Sequence, residues 1–315
     1  MVEKPQIKNR REKVVAKLRK NVFHGEFREI WNRLRVKTGF RTEIHSEELI
    51  SSCATAIREN LIVETPRLIS RRAEILVTED GFAVGGEKPG NPVKELKLDY
   101  AVPDVVTRVA NDTRLTRMTI ARILRESGRL KEIFNNPEEF ISGVSTIIKT
   151  ERVKMEVKTA KYAKKGDKYP DELFEDEVPS YRTNVLESKN SVYDKVTCDN
   201  SSERSFAENM DKNEQVKVFC KLPQKYYIST PTGDYRPDWA IIYEKKAIGG
   251  KSEPMLYLVR ETKFGYATLM RGTLKSIPSD EQDKIDCAKR HFEEVGELDY
   301  TVVRSYDEFV ETIPR

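Results

Sequence analysis

The chain has 315 residues, of which 38% are hydrophobic and 34% charged, with a net charge of +4 at pH 7 and a mean hydropathy of −0.63. That is room for two ordinary domains with normal cores and a very polar surface, and no apolar run approaches the ~18 residues a membrane-crossing helix needs. Four cysteines and three histidines lie far apart without a CxxC pair, which argues against a zinc site or a disulfide framework, so a reducing, cytoplasmic setting is expected.

Taken from the amino terminus, residues 10–36 read as helix, with Val14, Val15 and Leu18, then Phe23, Phe27, Ile30 and Leu34, at helical spacing. Residues 1–41 carry thirteen Lys or Arg against four acids, a basic end suited to phosphates, to an acidic partner, or simply to a solvated helix face. Gly39 is expected to end this segment. Ser46 is expected to cap a second helix whose first turn holds Glu47 and Glu48 and whose apolar face is Leu49, Ile50 and Ile57. Short β-prone stretches at 68–69 and 75–77 precede breaks at Gly81 and Gly85-Gly86. Two helical stretches, 104–109 and 116–124, joined at Thr113-Arg114, have the outline of a helix-turn-helix. Thr116 would cap the second, leaving Arg117, Thr119 and Arg122 as candidate DNA contacts. The plainer alternative is a packing hairpin, since the link carries Arg114 where such turns favour glycine.

After about residue 158 the composition turns charged, tyrosine-rich and proline-punctuated, with five acids in the seven residues 171–177, as in a connection between domains. From 199 the pattern is regular: helix 201–211, strands 215–222 and 225–230, a turn at Pro231-Thr232-Gly233, strands 234–244 and 255–262, helix 281–295 and a strand near 299–304. Helix-flanked strands joined by hairpins predict a mixed central sheet in an α/β layer fold. The expected division is a mostly helical spacer with a small sheet over 1–157, and an α/β domain over 158–315.

The residues that carry chemistry sit at the ends of two strands. Pro237-Asp238 leads into the apolar run Trp239-Ala240-Ile241-Ile242-Tyr243, and Leu256-Tyr257-Leu258-Val259 runs into Arg260-Glu261-Thr262-Lys263. Paired antiparallel through a loop that Gly249-Gly250 permits to reverse, these strands bring Asp238 beside Glu261, and Glu261 and Lys263 point to one face. Two converging carboxylates make a hard oxygen site suited to Mg²⁺ and phosphate oxygens, with the Thr262 carbonyl as a further ligand and Lys263 to position water or neutralise charge. Glu203, on the preceding helix, is a candidate additional carboxylate, through a metal-bound water or by orienting the lysine. Glu-x-Lys also occurs at Glu95, Glu156, Glu187 and Glu244, and Pro-Asp at Asp104 and Asp171. Asp238 alone opens an apolar strand whose hairpin partner ends in Glu-x-Lys. Gly250-Lys251-Ser252 lacks the first glycine of a P-loop, and Asp280-Glu281-Gln282-Asp283 lacks the apolar strand of a helicase acidic box, so no nucleotide motor is expected here.

These residues resemble the nuclease core of type III restriction Res subunits, of the PD-(D/E)xK type. The resemblance rests on Thr230-Pro231-Thr232-Gly233, Tyr235-Arg236-Pro237-Asp238-Trp239-Ala240, the strand ending in Glu261-Thr262-Lys263, Glu203-Arg204-Ser205-Phe206-Ala207 and Lys284-Ile285-Asp286-Cys287-Ala288-Lys289-Arg290-His291-Phe292. Upstream it continues through Phe27-Arg28-Glu29-Ile30-Trp31, Lys37-Thr38-Gly39-Phe40-Arg41 and Leu115-Thr116-Arg117-Met118-Thr119-Ile120. Phe264 stands where the family often has glycine, and Arg236 precedes the Pro-Asp pair. The resemblance implies an endonuclease on double-stranded DNA, catalysed by Asp238, Glu261, Lys263 and Glu203, with one or two Mg²⁺ held at Asp238, Glu261 and Thr262. It also implies a Mod methyltransferase partner and a helicase part of Res, the part that would need ATP. The alternatives are a DNA- or Mod-binding module of the same complex and a stand-alone repair nuclease.

Overall fold

The computed structural model describes residues 12–64, 75–78, 81–84, 103–245, 255–264, 269–270, 273–274 and 277–314. In chain order its elements are β1 (Lys13–Lys17), α1 (Lys20–His24), α2 (Arg28–Leu34), β2 (Val36–Arg41), α3 (Ser46–Asn60), β3 (Ile75–Thr78), β4 (Gly81–Val84), α4 (Val105–Thr113), α5 (Arg117–Ser127) and α6 (Pro137–Thr159). There follow β5 (Lys161–Lys168), β6 (Glu177–Tyr181), β7 (Val185–Glu187), β8 (Lys195–Thr197), α7 (Ser201–Lys212), β9 (Val216–Lys221), β10 (Ile228–Thr230) and β11 (Gly233–Tyr235). The chain ends in β12 (Trp239–Glu244), β13 (Met255–Thr262), β14 (Leu269–Met270), β15 (Thr273–Leu274), α8 (Ser279–Val295), β16 (Asp299–Val303) and α9 (Tyr306–Glu311). Among the described residues no helix is long and apolar enough to cross a membrane.

Two compact units divide the chain, one of residues 1–42 with 159–315 and one of 43–158. The amino-terminal segment therefore belongs with the carboxy-terminal α/β elements, where the sequence suggested a helical spacer running unbroken over 1–157. The reason lies in two strands, β1 inside the run 10–36 that the spacing predicts as one helix, and β2 where that segment is expected to end at Gly39. β1 pairs antiparallel with β6, and β2 with β5. The β-branched Val14-Val15 pair favours an extended chain, Gly25 follows directly on the short α1, and helical spacing survives only from Phe27 to Leu34, where Phe27, Ile30, Trp31 and Leu34 are fully buried. Gly39 lies within β2, paired with Ala163, and does not end a helix. The stretch after 158 is correspondingly more than a connection, since β5 and β6 are the partners that hold the amino terminus. Charge does the same work as the ladders. Asp171 accepts from Arg28 and from Trp31 Nε1 (2.8 Å) and pairs with Arg35 (3.0 Å), while Lys20 meets Asp176 at 2.8 Å. Part of the basic amino-terminal end thus meets the acidic run of its own chain.

The 43–158 unit packs α3, α4, α5 and α6 around Leu49, Ile57, Val109, Ile120, Ile123, Phe140 and Val144. Ser46 is the first residue of α3 and His45 its cap, without a side-chain capping bond. Asp104 and Thr116 do cap α4 and α5, accepting from the amides of Thr107 and Thr119. Arg114 takes the left-handed conformation (φ 55°) that the tight link requires and glycine would adopt at less cost. β3 and β4 form a hairpin. The stretch at 68–69, Gly85-Gly86 and Gly249-Gly250 lie outside the described residues.

The catalytic candidates sit on a four-stranded sheet of order β16-β13-β12-β9. β12 is antiparallel to both β9 and β13, and β13 is parallel to β16. The run 234–244, expected as one strand, is split into β11 and β12 at Arg236-Pro237-Asp238, because proline cannot donate to a ladder. One sheet face buries Trp239, Ile241, Tyr243 and Leu258 against Phe206, Ala207 and Met210 of α7 and Phe309 of α9. On β16, Tyr300 stacks on Phe292 of α8 with ring centroids 5.0 Å apart. This is the mixed sheet with flanking helices expected for the carboxy-terminal region.

Candidate active site

Register places the two carboxylates. Trp239 opposes Arg260 and Lys221, so Asp238, one residue earlier, is level with Glu261, and their side chains leave the sheet opposite to the face that Trp239 buries. Trp239 is fully buried and fixes this alternation. The backbone of Asp238 is anchored by Leu222, whose amide donates to its carbonyl at 2.8 Å. Its Oδ2 accepts from the Thr262 amide at 2.8 Å and from the Thr262 hydroxyl. Thr262, read from sequence as a carbonyl ligand, therefore also orients Asp238.

Glu261 is 4% exposed, its Oε2 is buried without a well-formed hydrogen bond, and the Tyr235 hydroxyl lies near enough to favour the ionised carboxylate. Its Oε1 pairs with Lys263 Nζ at 2.7 Å, and the same Nζ lies 2.6 Å from Glu281 Oε1 in the first turn of α8. Burial and the charge of Asp238 push the Glu261 carboxyl up to about 7, against the pull of Lys263. Burial also raises the Asp238 carboxyl, although its bonds from Thr262 and the charge of Lys263 oppose this. Burial works against the Lys263 ammonium, but Glu261 and Glu281 outweigh it and hold the group protonated. Two carboxyls resisting ionisation beside a lysine resisting deprotonation describe a site short of positive charge. The Tyr235 and Tyr300 hydroxyls bond each other, and the nearby negative charge of Glu261 adds to burial in keeping both phenols protonated.

The remaining predicted residues lie elsewhere. Glu203 is in the first turn of α7, where Asn200 caps the helix and Glu203 returns its carboxylate to the amide of Asp199 (3.0 Å), a reciprocal cap. Its Oε2 also binds Lys221 Nζ at 2.7 Å, and Asp199 holds that ammonium from a further 2.7 Å. Glu203 raises the Asp238 carboxyl electrostatically, so it is a neighbour of the pair, but the carboxylate that grips Lys263 is Glu281. Sequence reading missed both Glu281 and Lys221. The sequence predicts a helix over 281–295, but the meeting of its first turn with the end of β13 is a product of the fold. Arg117, Thr119 and Arg122 belong to the other unit. Arg122 makes a double contact with Glu47 (both 2.6 Å), Arg117 lies 3.7 Å from Asp104, and Thr119 serves the Thr116 cap. These contacts all lie within the helical unit.

A cavity of about 350 Å³ opens over Glu261 and Lys263, lined also by Asp234, Tyr235, Arg236, Asp280, Glu281 and Lys284. Among the described residues no three His, Cys, Asp or Glu side chains converge as a ready-made metal cage. Two carboxylates with one orphaned buried oxygen instead fit an ion that keeps several waters and takes substrate oxygens as further ligands, the habit of Mg²⁺.

No curated protein and no solved structure matches the chain. Residues 189–306 match a family model described as an endonuclease domain. That span runs from before α7 to the start of α9 and contains Glu203, Asp238, Glu261, Thr262, Lys263 and Glu281. The carboxy-terminal part of the chain is therefore similar to restriction-endonuclease-like domains, and the match supports a nuclease there.

Proposed function

We propose that this chain is a Mg²⁺-dependent DNA endonuclease of the PD-(D/E)xK type, and the nuclease-bearing carboxy-terminal part of a type III restriction Res subunit. The observation that carries the activity is the buried Glu261 carboxylate level with Asp238 and next to a lysine clamped by two carboxylates. Asp238 and Glu261 would hold the cation, with the Thr262 carbonyl as a third donor. When bound there, Mg²⁺ supplies the positive charge that polarises the scissile phosphate and acidifies a water. Thr262 keeps Asp238 aimed through its amide and hydroxyl. Lys263, held protonated, offers its ammonium to charge building on the phosphate as the water oxygen bonds to phosphorus and a bridging P–O bond breaks. The attacking water gives up a proton to solvent, and the departing sugar oxygen takes one up from solvent.

The type III assignment, with a Mod subunit and a helicase part as partners, rests on the order of motifs from Phe27-Arg28-Glu29-Ile30-Trp31 through Lys284-Ile285-Asp286-Cys287. The activity is tested by incubating supercoiled plasmid with the purified chain, without ATP, in Mg²⁺ and in EDTA. Nicked or linear DNA in Mg²⁺ alone supports it. Intact plasmid in both, or equal cleavage in both, contradicts it.

A further inference from the structure

α8 does more at the cavity than hold Lys263. Glu281 and Lys284 are three residues apart on this helix, hence on one face, and both line the cavity over Glu261 and Lys263. Glu281 is committed to Lys263 at 2.6 Å. The cations around the cavity divide sharply by partner. Lys263 is clamped between Glu261 and Glu281. Arg236 donates to the Gln224 carbonyl at 2.9 Å and lies 3.7 Å from Asp234. Lys284 is half-buried and makes no hydrogen bond or ion pair among the described residues. Its stem packs into the cavity wall while the ammonium at its end has no partner in the protein, which leaves that charge open to an anion entering the cavity.

We propose that Lys284 is a substrate-binding residue whose ammonium takes a backbone phosphate of the nucleic acid adjacent to the phosphate held at Asp238, Glu261 and Lys263. The identity of the polyanion rests on the nuclease reading. The placement rests on the cavity and on the unpartnered lysine in its wall. A phosphate contact carries no base information, so it contributes affinity equally to all sequences and releases about one counterion when made.

The test is equilibrium binding of the full chain to a short duplex over a series of salt concentrations, with Ca²⁺ replacing Mg²⁺, together with steady-state cleavage in Mg²⁺. Lys284→Ala is expected to lower the slope of log K against log salt by about one and to raise KM several-fold with kcat unchanged. Lys284→Arg should keep the slope, and Lys289→Ala, on an exposed position of the same helix, should leave it unaltered. An unchanged slope in Lys284→Ala, an equal loss in Lys289→Ala, or no DNA binding by the wild type overturns the proposal. A wild type that binds with the Lys284-dependent slope but cuts nothing leaves this contact standing and removes the proposed activity, so the two failures are distinguishable.

Discussion

Glu281 shows how a single side chain decides what a lysine can do. Lys263 Nζ has Glu261 on one side and Glu281 on the other, so when Glu261 turns to a cation the ammonium still has an anchor in α8. Glu281→Gln is expected to lower kcat about tenfold with KM nearly unchanged, because the residue aims Lys263 and does not bind DNA. A matched rise in KM, or full activity, speaks against that role. Glu261 carries the opposite lesson. Its carboxyl is raised to about 7, so the folded state binds a proton more tightly than the unfolded chain between the ordinary value of 4.5 and about 7. That contribution is present in full below 4.5 and is lost as pH rises through 7. Without divalent metal, Glu261→Gln should therefore raise the melting temperature at pH 8, by the equivalent of roughly 2–3 kcal/mol, and do little at pH 4.5. Identical shifts at both pH values contradict the crowding of Asp238 and Glu261.

At the scale of elements, strands built on continuous apolar runs were legible and short, charged ones were not. β13 runs over the predicted residues, and α7, α8, β9 and β16 depart by a residue or two; α7 and α8 each bury an apolar face, and β9 and β13 are buried over most of a run. β1 and β2 escaped detection because five or six residues rich in Lys and Arg satisfy a helical pattern as well as an extended one. Their partners, β6 and β5, lie more than a hundred residues away in sequence read as a connection. The site divided in the same way. Asp238, Glu261 and Lys263 follow from strand pairing and period two, but Glu281 reaches the site from a helix start whose meeting with the end of β13 no local pattern encodes. α8 also carries His291, 3% exposed, with Nδ1 bonded to the Thr38 hydroxyl at 2.7 Å and its Nε2 buried without a partner. Burial lowers this imidazole to about 3. The unfolded chain takes the proton below about 6.5, so stability is complete above that pH and falls as pH drops toward 3. In a Glu261→Gln background, which removes the opposing contribution of Glu261 over the same range, urea unfolding at pH 7.5 and 5 should show the loss, and adding His291→Gln should shrink it, whereas equal losses mean another group is responsible.

For the molecule as a whole, the basic amino terminus is a structural part of the unit that carries the nuclease candidates. Asp171 receives Arg28, Trp31 and Arg35 together, and Trp31 is fully buried. Asp171→Ala leaves two guanidiniums and an indole N–H without their acceptor and should cost about 2 kcal/mol in urea unfolding. A cost below about 0.5 kcal/mol places this cluster among ordinary surface pairs. The central claim is chemical, that Asp238, Glu261 and Lys263 together cut DNA with Mg²⁺. Its most direct measurement is plasmid cleavage in Mg²⁺ by the wild type beside Asp238→Ala, Glu261→Ala and Lys263→Ala, with each variant's fold checked by circular dichroism. The account predicts cleavage by the wild type and a loss of at least ~100-fold in each folded variant; wild-type rates in any one of the three would contradict it.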